Sequence, residues 1–245
     1  MVTLSRYSGE YLIILVNHMA LDERKPSSKD TIYVRDLVEF YEVKDVLSEE
    51  FNEAMRIYID AFPENIRRPV ASIGTDVKSD KSRLLIGRMD DKIVSMALLY
   101  PFKSTSFVLG DYLAIREEYR SQGIGEHFLK NIFSIIDDDQ FEYVIGEVEN
   151  PYLELDKSKM RRVRFFKRLG MKELKDLRYI LPPLQGTSPT EMILMVFSKK
   201  EKDSLVGEEI RNIISRIFSE LYNRDEDDEI LASILKGIPD LISLI

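Results

Sequence analysis

A short glycine-containing turn, Arg-Ser-Gln-Gly-Ile-Gly at residues 120–125, separates an apolar segment from an amphipathic one. Gly123 and Gly125 permit positive φ and a close backbone approach to a ligand, so successive N–H groups can converge on an anion. A helix starting there adds unpaired N–H groups and the positive end of its dipole. The turn matches neither a Walker loop nor the Gly-x-Gly-x-x-Gly of dinucleotide folds. It therefore predicts a site for a diphosphate.

The phrase around the turn is more specific than its glycines. Residues 111–129 read Asp-Tyr-Leu-Ala-Ile, an Arg-Glu-Glu-Tyr connector, Arg-x-x-Gly-x-Gly and an amphipathic helix. This phrase closely resembles the acetyl-CoA motif of the GCN5-related N-acetyltransferase (GNAT) superfamily, in its bacterial and archaeal form. The resemblance covers about residues 31–198, because residues 57–65 resemble the family's first helix and residues 164–171 its late helix.

The resemblance implies a mixed α/β (α+β) fold with a mostly antiparallel twisted sheet, a splayed strand pair and helices on both faces. It implies that acetyl-CoA is the cosubstrate and that its acetyl group moves to a primary amine by direct attack in a ternary complex. The strand at 111–115 would splay from that at 141–149, and the pantetheine arm would lie between them. The implied cofactor-binding residues are Leu113, Ala114, Ile115, Arg120, Ser121, Gln122, Gly123, Ile124, Gly125 and Asn150.

Such a reaction needs a base for the ammonium proton, a donor for the oxyanion and an acid for the thiolate. The carboxylates near the implied splay are Asp111, Glu147 and Glu149, and strand alternation places the last two on one face. Glu149, beside Asn150, is the first choice as base or amine anchor, and Asp111 is the second. Each carboxylate also fits a solvated or structural role.

The general acid is the point where the sequence departs from the family. Phe166 stands where the family often has a tyrosine, and a phenyl ring cannot donate a proton. Tyr179, Tyr152 or water then supplies the proton, or the thiolate leaves unassisted, since a thiol has a pKa of about 8.5. Phe166 also supports an alternative, a non-catalytic CoA-binding protein with a regulatory or interaction role.

Periodicity supplies the elements that would position these groups. Ser48 is the predicted N-cap of a helix that ends at Pro63, and residues 74–82 are predicted to be a polar connector. Asp90 and Asp91 are predicted to form a hairpin turn. The predicted strands cover residues 10–17, 31–43, 83–89, 92–100, 107–115, 141–148 and 191–198. Two further predicted helices cover residues 125–136 and 161–169.

The chain beyond residue 200 carries an apolar stripe at helical spacing. Its members are Val206, Ile210, Ile213, Ile214, Ile217 and Leu221. Packing on its own domain and a homodimer contact fit this stripe equally well. The predicted organisation is an N-terminal extension (1–30), a GNAT acetyltransferase domain (31–200) and a C-terminal helical extension (201–245).

Composition limits the partners. With 43 acidic and 35 basic residues the net charge is −8, which opposes nucleic acid and mildly favours a cationic amine. The chain has no cysteine, so a disulfide, a cysteine-ligated metal and an acyl-thioester enzyme are excluded. No metal site is predicted, since His18 and His127 form no zinc pattern. No apolar run suits a membrane span, and a cytoplasmic location is expected by default. The expected partner is a small-molecule or peptide amine.

Overall fold

The computed structural model of the chain describes residues 2–7, 10–15, 32–33, 37–138, 141–153 and 156–245. In chain order the strands are β1 (Val2–Tyr7), β2 (Glu10–Leu15), β3 (Ile32–Tyr33), β4 (Val38–Val43), β5 (Arg83–Met89), β6 (Lys92–Pro101), β7 (Phe107–Ile115), β8 (Tyr143–Glu149), β9 (Lys172–Glu173), β10 (Tyr179–Leu181), β11 (Thr190–Ser198), β12 (Ser204–Val206) and β13 (Leu241–Ser243). The helices are α1 (Glu49–Ala61), α2 (Val70–Lys78), α3 (Ile124–Asp138), α4 (Lys157–Arg168), α5 (Gly207–Arg216) and α6 (Glu229–Lys236).

The main sheet has the strand order β10-β11-β8-β7-β6-β5-β4, and the short β9 also pairs with β11. All neighbouring pairs are antiparallel except β7 and β8, which run parallel. The α3 crossover joins this one parallel pair. The predicted mixed fold with a mostly antiparallel sheet is confirmed.

The N-terminal strands form a separate three-stranded sheet in the order β1-β2-β3. The sequence predicts a single strand over residues 31–43. The structure instead gives two strands with different partners, since β3 pairs with β2 and β4 pairs with β5. The single-strand prediction is therefore wrong. The predicted loop at residues 22–28 lies outside the described residues.

Helix α1 begins and ends as its sequence predicts. The Ser48 hydroxyl accepts the Phe51 N–H at 3.1 Å, and Glu49 and Glu50 occupy the first turn, where the helix dipole favours acidic side chains. The helix stops at Ala61 because Phe62 is extended and Pro63 follows. The hairpin between β5 and β6 is also confirmed, with Asp90 at φ 54° in its turn.

The predicted connector at residues 74–82 is wrong in its first half. Helix α2 occupies Val70–Lys78 and buries Ile73 and Val77 against the sheet. The local sequence does not predict this helix, because Gly74 and Thr75 are weak helix formers. In addition, only two apolar core positions indicate a helical period. Tertiary packing, rather than propensity, therefore decides this segment.

The two faces of the sheet carry different helices. Alternate residues point to opposite sides, so Leu84 packs with α1 and α2, whereas Leu85 packs with α3. Helix α4 lies on the α3 side, where Val163 packs with Val148 and Met195. Helices thus cover both faces, as predicted. No helix within the described ranges is long and apolar enough to cross a membrane.

The segment from residue 203 onwards covers the remaining part of the α1 face. Its stripe is buried against the sheet from Ile210 to Leu221, and Val206 alone is exposed, at 50%. Packing on its own chain therefore accounts for the stripe. The segment also contains strands β12 and β13, which the sequence does not predict, and helix α6. The boundaries at residues 30 and 200 and the homodimer stay predictions.

Gly207 lies where the start of this segment packs closely against the backbone near its end. Its N–H donates to the Asp240 carbonyl at 2.7 Å, and a Cβ at this position would lie 1.8 Å from the Pro239 carbonyl oxygen. We expect Gly207→Ala to lower the free energy of unfolding by at least about 2 kcal/mol, because backbone must move to admit the methyl group. Chemical denaturation measures the loss. Gly74→Ala is the matched control, since its Cβ would meet only Phe51, at 3.6 Å. Equal stability of the two variants would contradict the prediction.

Candidate active site

Strands β7 and β8 separate in the middle of the sheet. Their parallel pairing runs from Phe107 opposite Tyr143 to Gly110 opposite Gly146 and then stops. Beyond that point β7 continues to Ile115 on the edge of β6, and β8 continues to Glu149 on the edge of β11. The facing backbone edges are left open to a ligand. The predicted splay is therefore present.

The turn before α3 has the backbone of an anion site. Ser121 has φ 62° and Gly123 has φ 80°, whereas Gln122 between them is outside the left-handed region. Such alternation turns successive N–H groups towards one concavity. Helix α3 starts at Ile124, so the unpaired N–H groups of its first turn lie next to this turn.

An open cleft of about 730 Å³ runs from this turn through the splay to the opposite face of the sheet. Seven of the predicted cofactor-binding residues line it, namely Leu113, Ala114, Ile115, Arg120, Ser121, Gly123 and Gly125. The other three have different surroundings. Ile124 is buried in the core, the Gln122 amide donates to the Glu118 carbonyl at 2.9 Å, and the Asn150 amide donates to Glu191 at 3.1 Å. Their binding roles stay predictions.

Basic side chains border the turn end of the cleft. Arg161, Arg162 and Arg168 line it from α4, and Arg120 lines it from the turn. Arg120 is held by its Nε, which donates to the Ile115 carbonyl at 3.0 Å. This local basic border offsets the net charge of −8 where an anion would bind.

Glu147 lies where the strands part. The residue lines the cleft and is half-buried, and its carboxylate accepts hydrogen bonds from the hydroxyls of Tyr179 and Tyr222. Burial among apolar groups raises the pKa of Glu147 to about 7, against the opposing effect of the two tyrosine donors. A carboxyl group with such a pKa exchanges protons readily near neutral pH.

Asp111 is committed to a buried ion pair. Its carboxylate accepts Arg68 Nη2 at 2.8 Å and Nε at 3.1 Å, and its side chain is 2% exposed. Arg68 also donates to Asp76 at 2.8 Å. Burial raises the pKa of Asp111, and Arg68 opposes that rise. The arrangement holds the segment after α1 against β7, so Asp111 is better placed for support than for proton transfer.

Glu149 does not share the environment of Glu147. Both residues lie on one face by alternation, but Glu149 is at the end of β8 and its carboxylate turns to α4. There it meets Arg162 at 2.5 Å and Lys159 at 3.6 Å. These two ion pairs direct the Glu149 carboxylate to α4 and away from Glu147.

Comparison with known proteins agrees with this geometry. The model of the acetyltransferase (GNAT) family matches residues 41–171, which is more than half of the chain. This chain belongs to the GNAT family. Its cosubstrate is therefore acetyl-CoA, and its general activity is acetyl transfer.

Solved structures show the same fold at low sequence identity. A protein from Bacteroides thetaiotaomicron, assigned to GNAT acetyltransferases, has a TM-score of 0.64 at 17% identity, over 76% of this chain and 99% of that one. The ribosomal-protein-S18-alanine N-acetyltransferase of Escherichia coli has a TM-score of 0.52 at 14% identity, over 67% and 96%. An aminoglycoside 6'-N-acetyltransferase complexed with coenzyme A has a TM-score of 0.52 at 12% identity, over 67% and 98%. No curated protein matches the chain.

The residues of this GNAT protein fit acetyl-CoA. The left-handed backbone at Ser121 and Gly123, the helix terminus and the arginines suit the diphosphate, and the open edges of β7 and β8 suit the amides of pantetheine. Bound acetyl-CoA supplies an activated acetyl thioester.

The predicted proton donors occupy different places. Tyr179 is fully buried beneath Glu147, and Tyr152 donates to Glu173 at 2.9 Å, away from the cleft wall. Phe166 does line the cleft, at the position where the family often has tyrosine. Tyr222, which the sequence does not single out, lines the cleft, and its hydroxyl donates to Glu147.

Two features of the GNAT site escape sequence reasoning. Tyr222 lies 75 residues from Glu147, and nothing in the local sequence joins them. A five-residue π-helical turn, Ile217–Leu221, follows α5 and sets the direction of Tyr222. The arginines of α4 carried a usable signal, because four of them fall in residues 161–168 of an acidic chain.

Proposed function

We propose that the chain is an N-acetyltransferase in which Glu147 receives the ammonium proton of a primary amine and the neutral amine attacks the acetyl thioester directly. The observation that carries the proposal is the place of Glu147, which has a pKa of about 7 and lines the cleft at the splay of β7 and β8. Glu147 rather than Glu149 is the proposed base, because Glu149 is engaged in ion pairs with Lys159 and Arg162 of α4.

The surrounding residues assist in three ways. Tyr179 and Tyr222 hold the two oxygens of Glu147, and their hydroxyls stay protonated because burial beside Glu147 raises their pKa well above 10. The apolar wall lowers the pKa of a bound ammonium group and so reduces the difference between that pKa and the pKa of Glu147. A backbone N–H on the open edge of β7 is available to an oxyanion.

The reaction needs no covalent acetyl-enzyme intermediate. The ammonium proton passes to Glu147, a carbon–nitrogen bond to the acetyl group forms and the carbon–sulfur bond breaks. The second nitrogen proton then goes to the departing sulfur, which gives the CoA thiol. The CoA thiol has a pKa of about 8.5, so its thiolate is a tolerable leaving group. Phe166 in place of a tyrosine acid therefore slows its departure little. The absence of cysteine from the sequence agrees with direct transfer.

A thiol-release assay with acetyl-CoA and a panel of primary amines tests the proposal, beside calorimetric titration of CoA. We expect release with one class of amine, and kcat/KM falling about tenfold per pH unit below pH ~7 as Glu147 becomes protonated. CoA binding without release from any amine would favour the non-catalytic alternative that Phe166 suggests.

The tyrosine pair offers a matched test of how Glu147 is held. Tyr179→Phe and Tyr222→Phe each remove one donor to the carboxylate, so each raises the pKa of Glu147 further. We expect the acidic limb of kcat/KM to move up by about one pH unit in both variants. Only Tyr222→Phe should also change the KM of the amine, because only Tyr222 lines the cleft. An unmoved limb in both variants would remove Glu147 from the mechanism.

A further inference from the structure

The far end of the cleft, on the α1 face of the sheet, has a nearly uniform apolar wall around Glu147. The wall is made by Phe62, Ile66, Leu181, Leu184, Met192 and Tyr222. All six belong to or pack against the core cluster that the C-terminal segment completes. We call this end the acceptor chamber, because CoA takes the turn end.

Three parts of the chain that border the chamber are tied to one another. The Leu184 N–H donates to the Asn65 carbonyl at 3.1 Å, and the Gln185 amide donates to the Arg67 carbonyl at 2.7 Å. Arg224 Nη2 donates to the Pro183 carbonyl at 3.3 Å. The loop after β10 is thus hydrogen-bonded both to the segment after α1 and to the turn after Tyr222, and it fixes the position of Leu184 in the chamber wall. A peptide that entered by its N-terminus would bring its first amide groups against this apolar wall, where the one hydroxyl, that of Tyr222, is already bonded to Glu147.

The charge of the chamber limits which amines it can bind. Asp111 borders the cleft, but its side chain is 2% exposed and paired with Arg68. Glu149 is paired with Lys159 and Arg162, and Glu126 lies on α3 at the turn end, paired with Lys130. Among the described lining residues, Glu147 is therefore the carboxylate that the chamber offers. One carboxylate matches one ammonium group. A second ammonium would be stripped of water beside Leu181 and Leu184 with no anion to meet it.

We propose that the acceptor is a small primary monoamine whose carbon skeleton next to the nitrogen is apolar, an alkylamine or arylalkylamine rather than a polyamine or a peptide N-terminus. This inference rests on the proposed function and adds the substrate class. The C-terminal segment then contributes to specificity, since Tyr222 and the Arg224 tie both belong to it.

The test compares three acceptors with acetyl-CoA: 2-phenylethylamine, spermidine and a tetrapeptide with a free N-terminus. We expect kcat/KM for 2-phenylethylamine to exceed that for the other two by at least about tenfold. Preference for spermidine or the peptide would overturn the substrate class and leave the N-acetyltransferase standing. No release from any amine would instead defeat the proposed function. Faster transfer from hexanoyl-CoA than from acetyl-CoA would also overturn the inference, because the apolar wall would then serve the acyl chain.

A charge placed in the chamber gives a second measurement. Leu184→Asp adds a carboxylate at a partly exposed position, so it should lower kcat/KM for 2-phenylethylamine at least about tenfold and raise it for spermidine. Leu47→Asp is the matched control, at a side chain that is 88% exposed and outside the cleft. Thermal melting and the Kd of CoA check that both variants fold and bind. Equal amine kinetics in the two variants would overturn the inference.

Discussion

Glu147→Gln is expected to lower kcat/KM for the amine by about 10²- to 10⁴-fold while the Kd of CoA stays within about twofold. The amide keeps the shape of the carboxylate and an acceptor for one tyrosine, but it cannot take a proton near neutral pH. Rate should recover in part above about pH 9, where more of the amine is already neutral. Stopped-time thiol release across the pH range, with calorimetry of CoA, measures both quantities.

Glu149→Gln is the discriminating comparison for this variant. It makes the same chemical change two residues further along β8, where Arg162 and Lys159 already neutralise the carboxylate. We expect a loss of less than about tenfold, without removal of the acidic limb. A large loss in Glu149→Gln together with a nearly normal Glu147→Gln would return the base to Glu149.

The same Glu147→Gln variant should be more stable than the wild type at pH 8. The folded-state pKa of Glu147 is raised from 4.5 to about 7, so the folded protein holds a proton that the unfolded chain releases between those values. Stability therefore falls as pH rises from about 4.5 to about 7, by up to about 3 kcal/mol in total. The glutamine variant avoids this loss, and its advantage in urea denaturation should be small at pH 4.5 and full at pH 8. An advantage that does not change with pH would show that the carboxyl group is ionised throughout.

The difference between Glu147 and Glu149 shows how much of a site the alternation pattern of a strand can predict. Alternation predicts that Glu147 and Glu149 share one face of β8, and in the structure the C-terminal segment covers Glu147 on that face. It could not rank the two carboxylates, because the ion pairs of Glu149 come from α4 and a hydrogen bond to Glu147 comes from Tyr222, in other parts of the chain. The choice of Glu149 from its place at the strand end used proximity alone. Burial and nearby charge decide the matter, and both are tertiary properties.

The elements show the same division between local and distant causes. The cap of α1, the hairpin at Asp90 and the turn at Gly123 depend on neighbouring residues, and their positions follow from the sequence. Helix α2 and strands β12 and β13 depend on what covers them, so local patterns do not mark them. The loop residues of the cosubstrate site are therefore more predictable than the residues that choose the acceptor.

Gly123→Val is expected to weaken CoA binding at least about 100-fold, close to 2.7 kcal/mol. Gly123 has φ 80°, a conformation that a β-branched residue adopts only under strain. The valine would turn the backbone N–H groups away from their common concavity and place two methyl groups where the diphosphate is expected. Calorimetric titration of CoA measures the loss.

Gly186→Val separates lost binding from backbone strain. Gly186 has nearly the same φ, 77°, a Cβ there would meet nothing within 4 Å, and the residue does not line the cleft. Both variants should lose a similar amount of stability, about 1–2 kcal/mol, because the strain is alike. CoA affinity should fall only in Gly123→Val. Unchanged affinity in a folded Gly123→Val protein would detach the diphosphate from this turn, and with it the assignment of the two ends of the cleft on which the acceptor chamber depends.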